Sequence, residues 1–309
     1  MSAPEVPVPT ILLFTRWGTQ WRTWCPQPAR DRPLVPGVRC ENRAGASTAQ
    51  AALRAAEEHG HHARLLPQPP AADFALAASA GRTHHIGVVD RPFTRTGCDQ
   101  NPGRWLPPEA LEESALPGHL RTLLLEVFDT VADAVRPPGP SKQDAALRRE
   151  LLDRQARDQA VRLTPQGDRT EELYEEWRAV DRGNTAWLRR VIAKHGWPGR
   201  TLVGKEAAGA AWLLAQHADR SSAFQEECLD LLARAVTAGD ADARHGALLE
   251  DRVRVNLGQP QVFGTQLAQQ DDGTLKPFPM IDPPGVEERR IAWGFEPLAD
   301  YIRSVAAHQ

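Results

Sequence analysis

Three short polar segments in the second half of the chain carry residue types from which acid–base chemistry is built. Gln216-His217-Ala218-Asp219 sets an imidazole two residues from a carboxylate. Asp251-Arg252 sets a carboxylate beside a guanidinium, and Gln261-Val262-Phe263-Gly264-Thr265-Gln266 sets two amides around a glycine. His217 ends an alanine-rich helical stretch, where the negative end of the helix dipole favours a protonated ring. Asp219 or Asp251 is a candidate to orient that ring, as a carboxylate does for many general-base histidines. Arg252 offers a fork of donors suited to carboxylate or phosphate. Gln216, Gln261, Gln266 and Trp197 are candidates to bind the ligand. The chemistry expected of the set is hydrolysis or group transfer. The plainer use of the same residues is to satisfy backbone groups in an irregular Gly/Pro-rich stretch, with the tryptophans in the core.

A second candidate lies in the first third. Glu57 and Glu58 close an alanine-rich stretch, and carboxylates on a helix are the usual oxygen ligands of Mg²⁺ against a diphosphate. The alternative is that both are solvated acids near a helix end. Histidines 59, 61, 62, 84 and 85 also cluster here, and read as surface or loop residues. The spacing of a zinc protease, a G-x-S-x-G elbow, a P-loop or a dinucleotide fingerprint occurs nowhere in the chain.

The chain that must position these groups has 309 residues, 41% hydrophobic and 25% charged, which suits two ordinary globular domains. With 37 Lys+Arg against 40 Asp+Glu the net charge is −3, so no bulk positive field steers it to nucleic acid or anionic lipid. The longest apolar stretches fall well short of the ~20 residues of a membrane span. The opening residues show no basic region followed by an apolar one. Four cysteines, 25, 40, 98 and 228, are widely spaced without a C-x-x-C pair. The expectation is a cytoplasmic protein with reduced thiols.

Arg136-Pro137-Pro138-Gly139-Pro140-Ser141 cannot continue a helix or a central strand. It divides a first domain, 8–135, from a second, 142–309, with 136–141 as linker. In the first, Thr10–Thr15 and His84–Val89 read as strands. Ser47 caps a helix over Thr48–His59, and another covers His119–Val135. In the second, helices are expected at Ser141–Arg162, with a narrow apolar stripe of Leu147, Leu151 and Leu152, and at Glu171–Ala179. Others are expected at Thr185–His195 with Asn184 as its cap, Lys205–Ala218, Ser222–Thr237, Ala241–Val253 and Asp300–Ala307. The fold class is α/β followed by a mostly α-helical domain.

The order "ILLFTRWGTQW", "VPGV", "GASTAQAALRAAEEHG", "RWLPPEALEESALP" resembles a Nudix hydrolase domain over about residues 8–135. That resemblance implies a mixed sheet between helices, Mg²⁺ as cofactor and a nucleoside diphosphate derivative as substrate. The sequence departs from the family where the metal is held. Ala46 stands at the loop glutamate and Ala55 at the glutamate after the arginine. Val38 stands at the second glycine of the turn, and one residue is missing before Glu57-Glu58. The expectation is therefore a nucleotide- or partner-binding module that has lost hydrolysis, with the Mg²⁺-dependent hydrolase as the alternative. From about Trp177 to Val305, Gly196-Trp197-Pro198, Gln216-His217-Ala218-Asp219, Asp251-Arg252 and Gln261-x-Phe263-Gly264-Thr265-Gln266 resemble an uncharacterised bacterial family. This resemblance implies a fold and no activity.

Overall fold

The computed structural model describes residues 10–17, 20–26, 38–39, 47–58, 61–66, 84–91, 103–106, 108, 110, 118–135, 143–163 and 170–307. The chain divides into two compact units, Met1–Arg136 and Pro137–Gln309. The Pro-rich segment 136–141 lies outside the described residues, as do His59 and the loop position Ala46.

In the first unit β1 (Thr10–Trp17) is central. It pairs antiparallel with β2 (Gln20–Pro26) and parallel with β5 (His84–Val88). β3 (Val38–Arg39) takes the place beside the first residues of β1, β4 (Arg64–Leu65) extends the sheet beyond β5, and β6 (Gly103–Leu106) extends it beyond β2. The sheet is mixed. Alternation along β1 sends Leu12 and Phe14 to one face and Leu13 to the other. Leu12 and Phe14 pack on Leu124, Val127, Phe128 and Val131 of α2 (Gly118–Ala134), with the rings of Phe14 and Phe128 edge to face at 5.1 Å. Leu13 and Trp24 pack on Ala51, Ala52, Ala55 and Ala56 of α1 (Thr48–Glu58), whose small inner face lies close on the sheet. Helices thus cover both faces, the α/β expectation. Ser47 and Gln50 cap α1 reciprocally: Ser47 Oγ accepts from Gln50 N at 3.2 Å, and Gln50 Oε1 accepts from Ser47 N at 3.0 Å. His61 is a core residue instead of a surface one, buried edge-on against Trp24 at 5.0 Å.

The second unit is mostly helical. α3 (Ala145–Ala160) is capped by Asp144, which accepts from Ala146 N and Leu147 N. α4 (Glu171–His195) is one helix of 25 residues, capped by Thr170 and closed by Gly196 at φ 72°. Two helices broken at Asn184 were expected. The buried stripe Asn184, Leu188, Val191 and Ile192 continues straight through that position. This packing outweighs the ~1 kcal/mol that Gly183 costs in a helix interior. α5 (Arg200–Gln216) is kinked at Gly204, φ 81°, so its regular part opens at Lys205. α6 (Ser222–Ala238) and α7 (Ala243–Asn256) follow. Leu151, Leu188, Val203, Leu214, Leu229, Leu232 and Leu249 form the core these helices share. A hairpin of β7 (Leu267–Gln269) and β8 (Leu275–Pro277), then α8 (Val286–Ala292) and α9 (Leu298–Ala306), complete the unit. Among the described residues no helix is long and apolar enough to cross a membrane.

Candidate functional site

Helix α3 brings to the site a group that its sequence conceals. Asp158 lies seven residues beyond Leu151, on the apolar stripe, and is fully buried. Both of its oxygens face His217 Nδ1, at 3.0 and 2.9 Å. Arg162 Nη1, one turn on, donates to Asp158 Oδ1 at 2.8 Å, and Gln159 Nε2 donates to Oδ2 at 2.9 Å. Arg162 Nη2 donates to Asp181 of α4 at 2.6 Å, and the guanidinium lies 4.7 Å over the Trp177 ring. Burial pushes the Asp181 carboxyl above its ordinary range, against the opposing pull of Arg162 and His217.

A carboxylate only accepts, so the Nδ1 contact places the proton of a neutral His217 ring on Nδ1 and the lone pair on Nε2. The His217 side chain retains 19% exposure, and Nε2 has no hydrogen-bond partner among the described residues. This is the geometry of an oriented base: a buried carboxylate behind the ring, a free nitrogen in front.

The turn after α5 carries a second network. Arg252 of α7 donates Nε to Asp219 Oδ1 at 2.9 Å and Nη2 to Oδ2 at 2.5 Å, and Nη1 to Gln266 Oε1 at 3.1 Å. Asn256 and Gln225 also donate to Asp219 Oδ1, at 2.9 and 3.1 Å. Gln225 Nε2 further reaches the carbonyls of Ala215 and Gln216, so this network abuts the C-terminal end of α5 beside His217. Burial alone would raise the Asp219 carboxyl. The donors Arg252, Asn256 and Gln225 outweigh it and hold the group below its ordinary range. Gln216 Oε1 is buried without a hydrogen-bond partner.

The structure therefore joins Asp219, Arg252 and Gln266, and gives His217 the partner Asp158 where Asp219 or Asp251 was expected. Asp251 is fully buried and turned away from a ligand role. Its oxygens accept from the backbone N–H of Val262, Phe263 and Thr265 at 2.6 to 3.2 Å, and from Thr265 Oγ1. Burial nonetheless pushes its carboxyl upward, against those hydrogen bonds. Gln261 is likewise spent on the loop, donating to Gln266 O and Phe278 O and accepting from Gln266 N. Gly264, φ 72°, serves packing: a Cβ there would meet Leu298 Cδ1 and Met280 Sδ at 2.9 Å. Trp197 is partly buried against the core. Asp158, Arg162 and Asp181 escaped the sequence reading. The signal for the first was a carboxylate on the stripe begun by Leu147 and Leu151, where a leucine belongs.

These residues match a known family. Residues 145–308 fit a family of unknown function, DUF6624. The chain belongs to it. Asp158, Arg162, Asp181, His217, Asp219, Arg252 and Gln266 all lie inside the matched segment, so the whole site is built from the DUF6624 part of the chain. No curated protein matches the chain.

In the first unit Glu57 and Glu58 are successive, exposed residues at the end of α1. Successive side chains on a helix diverge by ~100°. Among the described residues no group of three metal-ligating side chains forms. The described residues of α1 thus offer two exposed, diverging carboxylates to the Mg²⁺ that the Nudix resemblance implies.

Proposed function

We propose that the DUF6624 unit is an acid–base enzyme, hydrolase or transferase, with His217 as its general base. Asp158 orients the ring, and Arg162 neutralises the buried carboxylate. The observation that carries this reading is the fully buried Asp158 on Nδ1 with Nε2 unpartnered and the ring partly open to solvent. In this reading Nε2 takes a proton from water or a substrate hydroxyl and later returns it to the leaving group. Arg252 and Gln266 then position a small polar substrate, with Asp219 holding the guanidinium in place.

The test has two readouts. Side-chain ¹⁵N spectra of the full chain should show His217 as the Nδ1–H tautomer, and Asp158→Asn should abolish that preference. In a screen of chromogenic esters and phosphoesters, His217→Gln should lower kcat by about 10²-fold or more. Turnover indifferent to His217→Gln, or an Nε2–H tautomer, would sink the assignment.

For the first unit we propose a ligand- or partner-binding module of Nudix-like build, with nucleotide derivatives as the ligand class. Two observations favour it: a mixed sheet covered by helices on both faces, and an α1 whose only carboxylates are the exposed Glu57 and Glu58. Calorimetric binding of ADP-ribose or ATP without Mg²⁺-dependent turnover is the expected result. Robust turnover abolished by Glu58→Gln would establish the hydrolase.

A further inference from the structure

Lys205 and His217 lie twelve residues apart along α5 and its cap, or ~18 Å at the helical rise. At the Lys205 end a pocket of about 130 Å³ opens between α5, α6 and α7. Its polar lining is Arg200, Lys205, His245 and Asp242, over Gly209 and Leu232. Three of these four polar side chains are basic.

The one acid is already committed. Asp242 Oδ2 accepts from Arg200 Nη2 at 3.0 Å, and Oδ1 caps α7 by accepting from Arg244 N at 3.0 Å. The neighbouring Asp240 carboxylate is likewise occupied, accepting from Thr201 N at 2.7 Å and from the Thr201 hydroxyl. Lys205 makes no hydrogen bond or ion pair among the described residues, and neither ring nitrogen of His245 has a hydrogen-bond partner there. The His245 ring is nevertheless fixed. It lies flat on Trp212, with centroids 4.1 Å apart and planes within 1°.

Burial lowers the His245 pKa. Asp242 pulls the other way, and Arg200, Arg244 and Lys205 add to the lowering. Arg200 and Asp242 compensate one another, which leaves the Lys205 ammonium as the charge of this lining without a counter-ion. Lys205 opens the regular part of α5 and His245 sits in the first turn of α7, positions where acids, not bases, stabilise a helix. An anion here would give the Lys205 ammonium a counter-ion and the His245 ring a hydrogen-bond partner.

We propose that this pocket binds a small molecule through a phosphate group, with Lys205, His245 and Arg200 as its donors. The lysine ammonium is a common point-charge partner of phosphate. A phosphate also presents three acceptor oxygens, which suits three donors better than the two oxygens of a carboxylate. The pocket is smaller than the roughly 300–1,000 Å³ of a drug-sized site, so it takes the phosphate and a short stem. This site is independent of the His217 centre, and its failure would leave that assignment intact.

The test is titration of the full-length protein with inorganic phosphate and with glycerol phosphate, followed by side-chain ¹⁵N signals of histidine. The His245 signal is assigned by its loss in His245→Gln. Saturable perturbation of His245 is expected at millimolar phosphate, with a rise in its pKa because the anion favours the charged ring. Lys205→Glu, a change at an exposed position, should weaken binding by about tenfold or more, the loss of one charge-assisted contact and its replacement by repulsion. Lys205→Arg should retain it. An undisturbed His245 signal, an equal response to chloride at matched ionic strength, or unchanged affinity in Lys205→Glu would overturn the proposal.

Discussion

Asp158 and Asp251 are both fully buried in the same unit, and both have their oxygens surrounded by donors. Asp251 receives three backbone N–H groups and a hydroxyl from one loop, 262–265. Asp158 receives an imidazole, a guanidinium and an amide, all side chains. The first arrangement ends inside the protein: its donors belong to a backbone that goes nowhere else. The second continues outward, because the imidazole has another nitrogen and some exposure. Burial of a carboxylate is thus no mark of a site. What distinguishes the two is whether the partner hands the interaction on to solvent.

The largest effect should come from breaking the inward-facing case. Asp251→Ala would strand three backbone N–H groups and the Thr265 hydroxyl in the interior. At ~1–3 kcal/mol for each donor left unsatisfied, the loss should exceed about 3 kcal/mol. Urea unfolding of the full chain, followed by Trp293, which caps α8 and packs on Phe263 of that loop, would register it. A loss below about 1 kcal/mol would show that the loop finds other acceptors, and that Asp251 is freer than its geometry implies.

The outward-facing case should respond differently. Asp158→Asn keeps the shape and places a neutral amide against Arg162 and His217. Breaking a buried ion pair by removing one partner is itself costly, by about 3–5 kcal/mol where no solvent reaches it. Here Arg162 retains Asp181 and some exposure, so a smaller loss than for Asp251→Ala is expected. The sharper readout is the ring: side-chain ¹⁵N spectra should lose the Nδ1–H preference once the carboxylate that accepts from it is gone. A larger stability loss than for Asp251→Ala, with the His217 tautomer unmoved, would erase the distinction between the two aspartates.

The sequence made parts of this legible and hid others for physical reasons. Caps and stops read well because they depend on one or two residues: Ser47 before α1, and the end of α4 at His195 before Gly196. Asn184 misled because its residue type favours a cap, and only the tertiary stripe shows it inside a helix. Asp219 and Gln266 stand beside a turn and in an irregular segment, where side chains are free to converge on Arg252 of α7. The Asp158–His217 pair, separated by 59 positions, depends on how α3 packs against α5. A local reading of α3 shows chiefly its charged face.

A milder effect concerns Arg252 and pH. The Asp219 carboxyl is held below its ordinary range, chiefly by Arg252 against the pull of burial. A depressed carboxylate adds stability that is fully present above the unfolded value, about 3.9. That stability is lost as pH falls through the lower folded value. Arg252→Gln should therefore be less stable than the parent at pH 7, and the gap should close as the solution is acidified below about pH 4. A gap that stays constant down to pH 3 would mean that Arg252 contributes by packing and not through Asp219.

The smallest effect belongs to the first unit. Glu57 and Glu58 carry the Nudix resemblance yet are exposed at the last residues of α1, and the face that holds α1 to the sheet is alanine. Removing both charges, Glu57→Gln with Glu58→Gln, takes nothing from the core. Exposed ion pairs are worth ~0–1 kcal/mol, so unfolding should shift by no more than about 0.5–1 kcal/mol. Nor should Mg²⁺ alter the melting temperature of parent and double variant differently, because two diverging carboxylates do not make a divalent site. A Mg²⁺-dependent stabilisation present in the parent and absent from the double variant would reverse the ranking. It would mean that carboxylates outside the described residues complete a metal site around α1, and that the first unit is the enzyme.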